Sequence, residues 1–130
     1  RNTPDGPEQV VPGASAGAGD IFQVEYHPGN FAYGAILSVD GNGAVTLHWP
    51  SALDASTAWS SVTEHRLPKA FELDEAPRFE RFHLLLSAKP IDLEKWTSQV
   101  AASSKHDDTW LAAQSPQSVR VIVFPLKKGP

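Results

Sequence analysis

The chain contains no cysteine and no methionine. A disulfide framework, a thiolate-held metal and a cysteine nucleophile are therefore excluded, and the compartment is left open. Long apolar runs are also missing: nothing approaches the roughly 18 residues that a membrane span needs, and the N-terminus has no apolar signal-peptide core. No membrane span is expected within the chain. Its first residue, Arg rather than Met, reads as an excised or processed segment with targeting or anchoring sequence lost upstream. Positive charge is scarce too, with eleven Lys plus Arg against fifteen Asp plus Glu and a formal net charge of −4. A nucleic-acid partner would call for a basic stripe to neutralise phosphates. The one basic run, Lys127-Lys128, reads as a solvated chain end, so nucleic acid is not an expected partner.

What is present suits one folded domain. The 130 residues leave no room for a second, and 41% hydrophobic with 20% charged residues is ordinary globular usage. Residues 1–19 are rich in Pro, Gly and Ala and read as a flexible arm, with an edge strand at Glu8 to Val11. The domain proper is expected over 20–128.

Alternation from Ile21 to Tyr26 sets Phe22, Val24 and Tyr26 against Gln23 and Glu25, the period of a half-buried strand. Phe31 to Val39 is apolar on both faces, as a central strand requires. Ala44 to Trp49 places Val45, Leu47 and Trp49 inward, with Thr46 and His48 outward. Between the last two, Asp40-Gly41-Asn42-Gly43 supplies residues that tolerate positive φ, the chemistry of a tight hairpin. Residues 50–68 read as a long loop with a short strand or turn near Trp59 to Val62. Strands at Ala70 to Leu73 and Phe79 to Ser87 are expected to form a second hairpin across Asp74-Glu75-Ala76-Pro77.

After Pro90 the period changes. Leu93, Trp96 and Val100 fall at i, i+3 and i+7 behind Asp92 as N-cap, predicting an amphipathic helix from Leu93 to about Ser104. Asp107 or Asp108 is placed to cap a short turn through Ala113, and Val119 to Leu126 is apolar enough for a buried closing strand. This order has too few helices for a doubly wound fold. It predicts a mainly β domain, an antiparallel β-sandwich of about seven strands with one or two short helices near the C-terminal part.

Chemistry-bearing motifs are weak. Gly13-Ala14-Ser15-Ala16-Gly17 matches G-x-S-x-G, but a strand follows it where a nucleophile elbow needs a helix. Asp40-Gly41-Asn42 opens like a calcium loop, yet the twelfth position is Ser51, not Glu. His27, His48, His65, His83 and His106 show no metal-binding spacing. His83 shares a strand face with Phe79, Arg81 and Leu85 and reads as a partly buried, hydrogen-bonded residue. Glu64, Glu72, Asp74, Glu75, Glu80, Asp107 and Asp108 lie in turns or on outward faces and read as solvated. No catalytic, cofactor-binding or metal-binding residue is assigned, and no cofactor is expected. Trp49 and Trp96 fall on apolar faces and read as core. Trp59 and Trp110 sit in polar surroundings and form the candidate ligand-binding platform.

The run Tyr33-Gly34-Ala35-Ile36-Leu37-Ser38-Val39-Asp40 through Trp49-Pro50, then Leu67-Pro68-Lys69-Ala70-Phe71-Glu72-Leu73-Asp74 and Glu80-Arg81-Phe82-His83-Leu84-Leu85-Leu86-Ser87, resembles the bacterial domain of unknown function 4384 family. The resemblance covers about Gly19 to Lys128. It implies an accessory domain closing longer envelope, kinase-linked or anti-sigma-like proteins, in the bacterial envelope or periplasm rather than the cytoplasm. It carries no catalytic residues over. The arm is shorter than the family pattern, implying a strand missing or supplied by another chain, and His83 stands where that family commonly has an aromatic.

The expected function is thus a non-catalytic protein-interaction or accessory domain of a bacterial signalling or envelope protein, docking a protein partner through an edge strand. The alternative is a carbohydrate-binding module that stacks a glycan on Trp59 and Trp110.

Overall fold

A computed structural model describes residues 1–3, 6–59, 66–67, 70–75, 78–116 and 118–128. The protein is mainly β, with two short helices near the C-terminus, as the sequence predicts. In the arm, β1 (Asn2–Thr3) pairs with β2 (Gly6–Pro7). The other seven described strands make two sheets. β3 (Ser15–Ala16), β5 (Tyr33–Asp40), β6 (Val45–Trp49), β8 (Phe79–Ser87) and β9 (Val119–Lys128) form one in the order β3-β9-β8-β5-β6. β4 (Ile21–Phe22) and β7 (Phe71–Glu72) form the other. All pairings are antiparallel except that of β3 with β9, so the larger sheet is mixed.

The register of β5 with β8 and of β8 with β9 divides the large sheet into two faces. Ala35, Leu37, Val39 and Leu85 lie on one and are fully buried under α1 (Leu93–Ser103) and α2 (Trp110–Gln114). The Leu93, Trp96, Val100 stripe faces that core as its spacing requires, and burying each such side chain contributes roughly 1.5–3 kcal/mol. Asp92 caps α1 by accepting from the Lys95 N–H at 3.2 Å. On the opposite face Phe82 and Leu126 meet Phe22 and Leu73, while Ile36 and Leu86 meet Tyr26, Trp59 and Leu67.

The Asp40 turn forms as predicted: Asp40 Oδ1 accepts from the N–H groups of Asn42 and Ala44, and Gly43 takes φ 85°. Further along the same hairpin the alternation breaks. Leu37 opposes Leu47 but Ile36 opposes Trp49, so His48 is an extra residue in β6. This bulge carries Trp49 off the face of Val45 and Leu47, against the predicted inward set, and into the cluster with Trp59.

Three other expectations change. The hairpin predicted between Ala70–Leu73 and Phe79–Ser87 does not form; β7 pairs with β4, and Phe71 meets Phe82 edge-on at 5.6 Å across the two sheets. Within the arm, Glu8–Val11 forms no strand, and it is Ser15–Ala16 that adds to the large sheet. Small residues let it lie against β9, with Ala16 buried and Gly13 N–H donating to Pro125 O at 2.7 Å. β9, expected to be buried, buries only Leu126; from Val119 to Val123 it alternates between half-buried and exposed residues, and Ile122 is 40% exposed. The strand or turn expected near 59–62 is described only at Trp59; residues 60–62 lie outside the described residues.

Candidate functional site

β9 exceeds its neighbour on one side. β8 pairs with Val119 through Lys127, whereas β3 covers only Lys127 and Lys128. Gly13 N–H reaches Pro125 O, and Lys127 N–H donates to Ala14 O at 2.9 Å, so the odd-numbered residues of β9 turn their backbone groups away from β8. Among the described residues, nothing pairs with the outward N–H and C=O groups of Val121 and Val123. Pro125 sits at an outward position, where its missing N–H costs no ladder bond, as expected on an edge strand.

Beside this edge a groove of about 730 Å³ runs over the sheet face away from the helices. Its floor is Ile36, Phe82, Leu84, Ile122 and Phe124, and one wall is Phe22, Val24 and Tyr26. The polar rim is internally neutralised. Arg1 pairs with Glu8 at 2.7 Å and Asp20 at 3.2 Å, and Arg66 pairs with Glu25 at 2.8 Å. An open backbone edge bordered by a greasy groove with a self-compensated rim offers hydrogen bonds and apolar area to an extended chain, and little net charge.

A second cleft, of about 520 Å³, lies at the C-terminus of α1 and collects Arg78, Arg81, Lys105 and His106. Both arginines are already engaged. Arg81 donates to Ser103 O and His106 O, each at 2.8 Å, and pairs with Asp108, thereby satisfying the helix-end carbonyls; Arg78 donates to Gly41 O.

The structure also assembles a polar cluster that the sequence did not suggest. Glu80, predicted outward, is buried beside Asp40 because both faces of the central strand β8 are covered. Lys128 is tucked in with it: its ammonium lies 2.8 Å from Asp74 and 3.3 Å from Glu80. Burial pushes the Glu80 carboxyl up, opposed by Ser38 and Lys128. Burial opposes the charge on Lys128, but Asp74 and Glu80 outweigh it and raise its pKa. Carboxylate oxygens of Asp40, Asp74 and Glu80 come within 4.8 Å of one another, the spacing of a cation site, and the lysine supplies the positive charge there. Lys128→Met is expected to destabilise the domain by about 3 kcal/mol at neutral pH, because Glu80 is then buried without an opposite charge. Acidification should relieve the deficit as Glu80 protonates, and urea unfolding at two pH values checks both statements.

Next to this cluster, Ser38 Oγ and His48 Nε2 are 2.7 Å apart, the distance of a nucleophile and its base. The pairing arises from the bulge, which brings His48 beside the residue opposite Thr46; no sequence spacing announces it. Ser38 is fully buried, His48 packs on Phe71 and Phe82, and neither cleft is lined by them. The pair braces the sheet.

Of the aromatic platform, Trp59 is corrected. It is buried, with its ring stacked between Trp49 at 4.3 Å and Tyr26 at 5.3 Å, so neither ring face is open to a sugar. Trp110 is half-buried and stacks on His106 at 4.2 Å, on the other side of the sheet from Trp59. The two do not share a surface. Trp96 is core as predicted. His83 is buried more deeply than expected, and its Nδ1 has no hydrogen-bond partner. His27 and His106 are exposed, and Ser15 of the G-x-S-x-G run is exposed on β3; Glu72, Asp74, Glu75, Asp107 and Asp108 are exposed, and Glu64 and His65 lie outside the described residues.

The fold is that of a small mainly β domain with an open strand edge beside an apolar groove among the described residues. No family model, curated protein or solved structure matches the chain.

Proposed function

We propose that this domain is a non-catalytic interaction or accessory module that docks a protein partner by adding an extended segment to β9. The observation that carries this reading is the edge at Val121 and Val123, unpaired among the described residues, beside an apolar groove. Such an edge supplies affinity through backbone bonds and specificity through pockets for alternate side chains. Natural domains otherwise blunt exposed edges with charge, proline or a covering element. Here Arg120 and Pro125 flank a core of Val-Ile-Val-Phe that is left open. A bacterial envelope or signalling setting rests on the family resemblance of the segments 33–50, 67–74 and 80–87 alone.

The reading is tested with a displayed library of extended peptides panned on the purified domain. Selected peptides are expected to alternate apolar and polar residues and to protect the Val121 and Val123 amides from exchange. Ile122→Lys, a surface change, should weaken them by about tenfold or more, equivalent to about 1.4 kcal/mol. Peptides that bind while leaving both amides unprotected would place the docking surface elsewhere.

A further inference from the structure

The hydrogen-bonding groups on the β9 edge are self-complementary. Among the described residues, each copy of the chain offers five outward groups in a row: the C=O of Val119 and the N–H and C=O of Val121 and of Val123. Beyond them the edge is closed at both ends. Val119 N–H is already given to Pro116 O at 3.1 Å, Pro125 has no N–H, and Pro125 O accepts from Gly13. We infer that the strand added to β9 is β9 of a second copy, antiparallel about a two-fold axis at Ile122; this rests on the edge-docking reading above.

The register follows from counting groups. With the axis at Ile122, Val121 faces Val123 of the other copy twice, and in each pair both N–H and both C=O groups are used. Moving the axis to Val121 pairs Val123 with Val119, whose N–H is taken, and leaves the Val123 carbonyls unmatched. An axis at Val123 pairs Val121 with Pro125, which has no donor. The registers centred on Ile122 and on Val121 each leave one carbonyl per copy unmatched, but the one centred on Ile122 uses both groups of Val121 and both of Val123, and the carbonyl it leaves out is that of Val119 at the end of the strand.

Side chains agree with that register. On the groove face Ile122 meets its own counterpart, and Arg120 stands opposite Phe124. Arg120 makes no ion pair among the described residues, and a guanidinium over an aromatic ring is a favourable cross-strand pair. On the helix face Val121 lies across from Val123. The outcome is one continuous sheet through both copies, with their two grooves meeting at the axis.

The chain's lack of cysteine makes the test clean. Residue 122 would face itself in a non-hydrogen-bonded pair, with Cα atoms about 4.5 Å apart, inside the range a disulfide spans. Ile122→Cys is therefore expected to give a disulfide-linked species of twice 14.1 kDa on mild oxidation, while Arg120→Cys alone gives none and Arg120→Cys/Phe124→Cys does. Unsubstituted protein should sediment at twice 14.1 kDa and Ile122→Lys at 14.1 kDa, with unchanged circular dichroism. A dimer in which Ile122→Cys fails to cross-link overturns the register and the inference. A monomer at every concentration up to the solubility limit also overturns it, and amide exchange then separates the two readings. Fast exchange at Val121 and Val123 leaves an open edge and the docking reading intact; protection of both in the monomer removes that reading as well.

Discussion

Gly34→Ala is expected to destabilise the domain by about 3 kcal/mol or more. A Cβ at position 34 would lie 2.1 Å from Trp59 Cζ2 and 2.5 Å from the Leu85 carbonyl oxygen. Neither neighbour can yield easily. Trp59 is held between Trp49 and Tyr26, and Leu85 is central in β8. The Gly34 N–H also donates to Thr57 O at 2.9 Å, so sliding the strand breaks the bridge to the loop that carries Trp59. Overpacking commonly costs about 1–3 kcal/mol, and an overlap this severe belongs at or above the upper end. Because total stability is on the order of 5–15 kcal/mol, such a loss is a large fraction of it. Adding Trp59→Leu removes one of the two clashes, so the double variant should recover part of the urea midpoint. A Gly34→Ala protein as stable as the parent would show that the aromatic stack is looser than described.

Acid should unfold the domain unusually early, through two histidines. Burial lowers His48 from 6.5 to about 4; burial, with Arg81 adding repulsion, lowers His83 from 6.5 to about 4. Each depressed value corresponds to roughly 3 kcal/mol that is present above pH 6.5 and lost as pH falls through about 4. Glu80 acts in the other sense. Its raised pKa makes a contribution that is present below the usual carboxylate range and lost as pH rises through the raised value. The net expectation is a decline in stability from pH 6.5 downward, less steep than the histidines alone would give. His83→Leu separates the terms. It replaces a buried ring with an unpaired Nδ1 between Leu37 and Val123, so stability at neutral pH should hold or rise by about 1 kcal/mol. The acid transition should move to lower pH; an unmoved transition would assign the decline to other groups.

Local periodicity and turn chemistry made β5, the Asp40 turn, α1 and the short α2 legible in the sequence, because each is defined by neighbours within a few residues, although the N-cap of α2 is Thr109 rather than Asp107 or Asp108 and makes no side-chain cap bond. The failures share a different cause. Trp59 looked exposed because its surroundings along the chain are polar, but its partners Tyr26 and Trp49 come from distant segments. Glu80 and Lys128 looked solvated for the same reason, since only the sheet order brings them together. The β6 bulge erased the rule that alternate residues share a face, hiding both the Trp49 stack and the contact between Ser38 and His48. At the candidate site, an apolar Val119 to Leu126 read correctly as a strand. Its openness could not be read, because an edge is defined by which segment fails to pair with it.

The short parallel pairing of β3 with β9 has a mechanical consequence. Tension drawn through the N-terminal side of β3 and the C-terminal side of β9 pulls the two strands in opposite directions along their common axis. The bonds joining Gly13 to Pro125 and Ala14 to Lys127 would then be loaded together in shear, whereas an antiparallel pair held at adjacent ends unzips one bond at a time. A handful of residues at the root of the arm thereby sets the force at which the sheet begins to open.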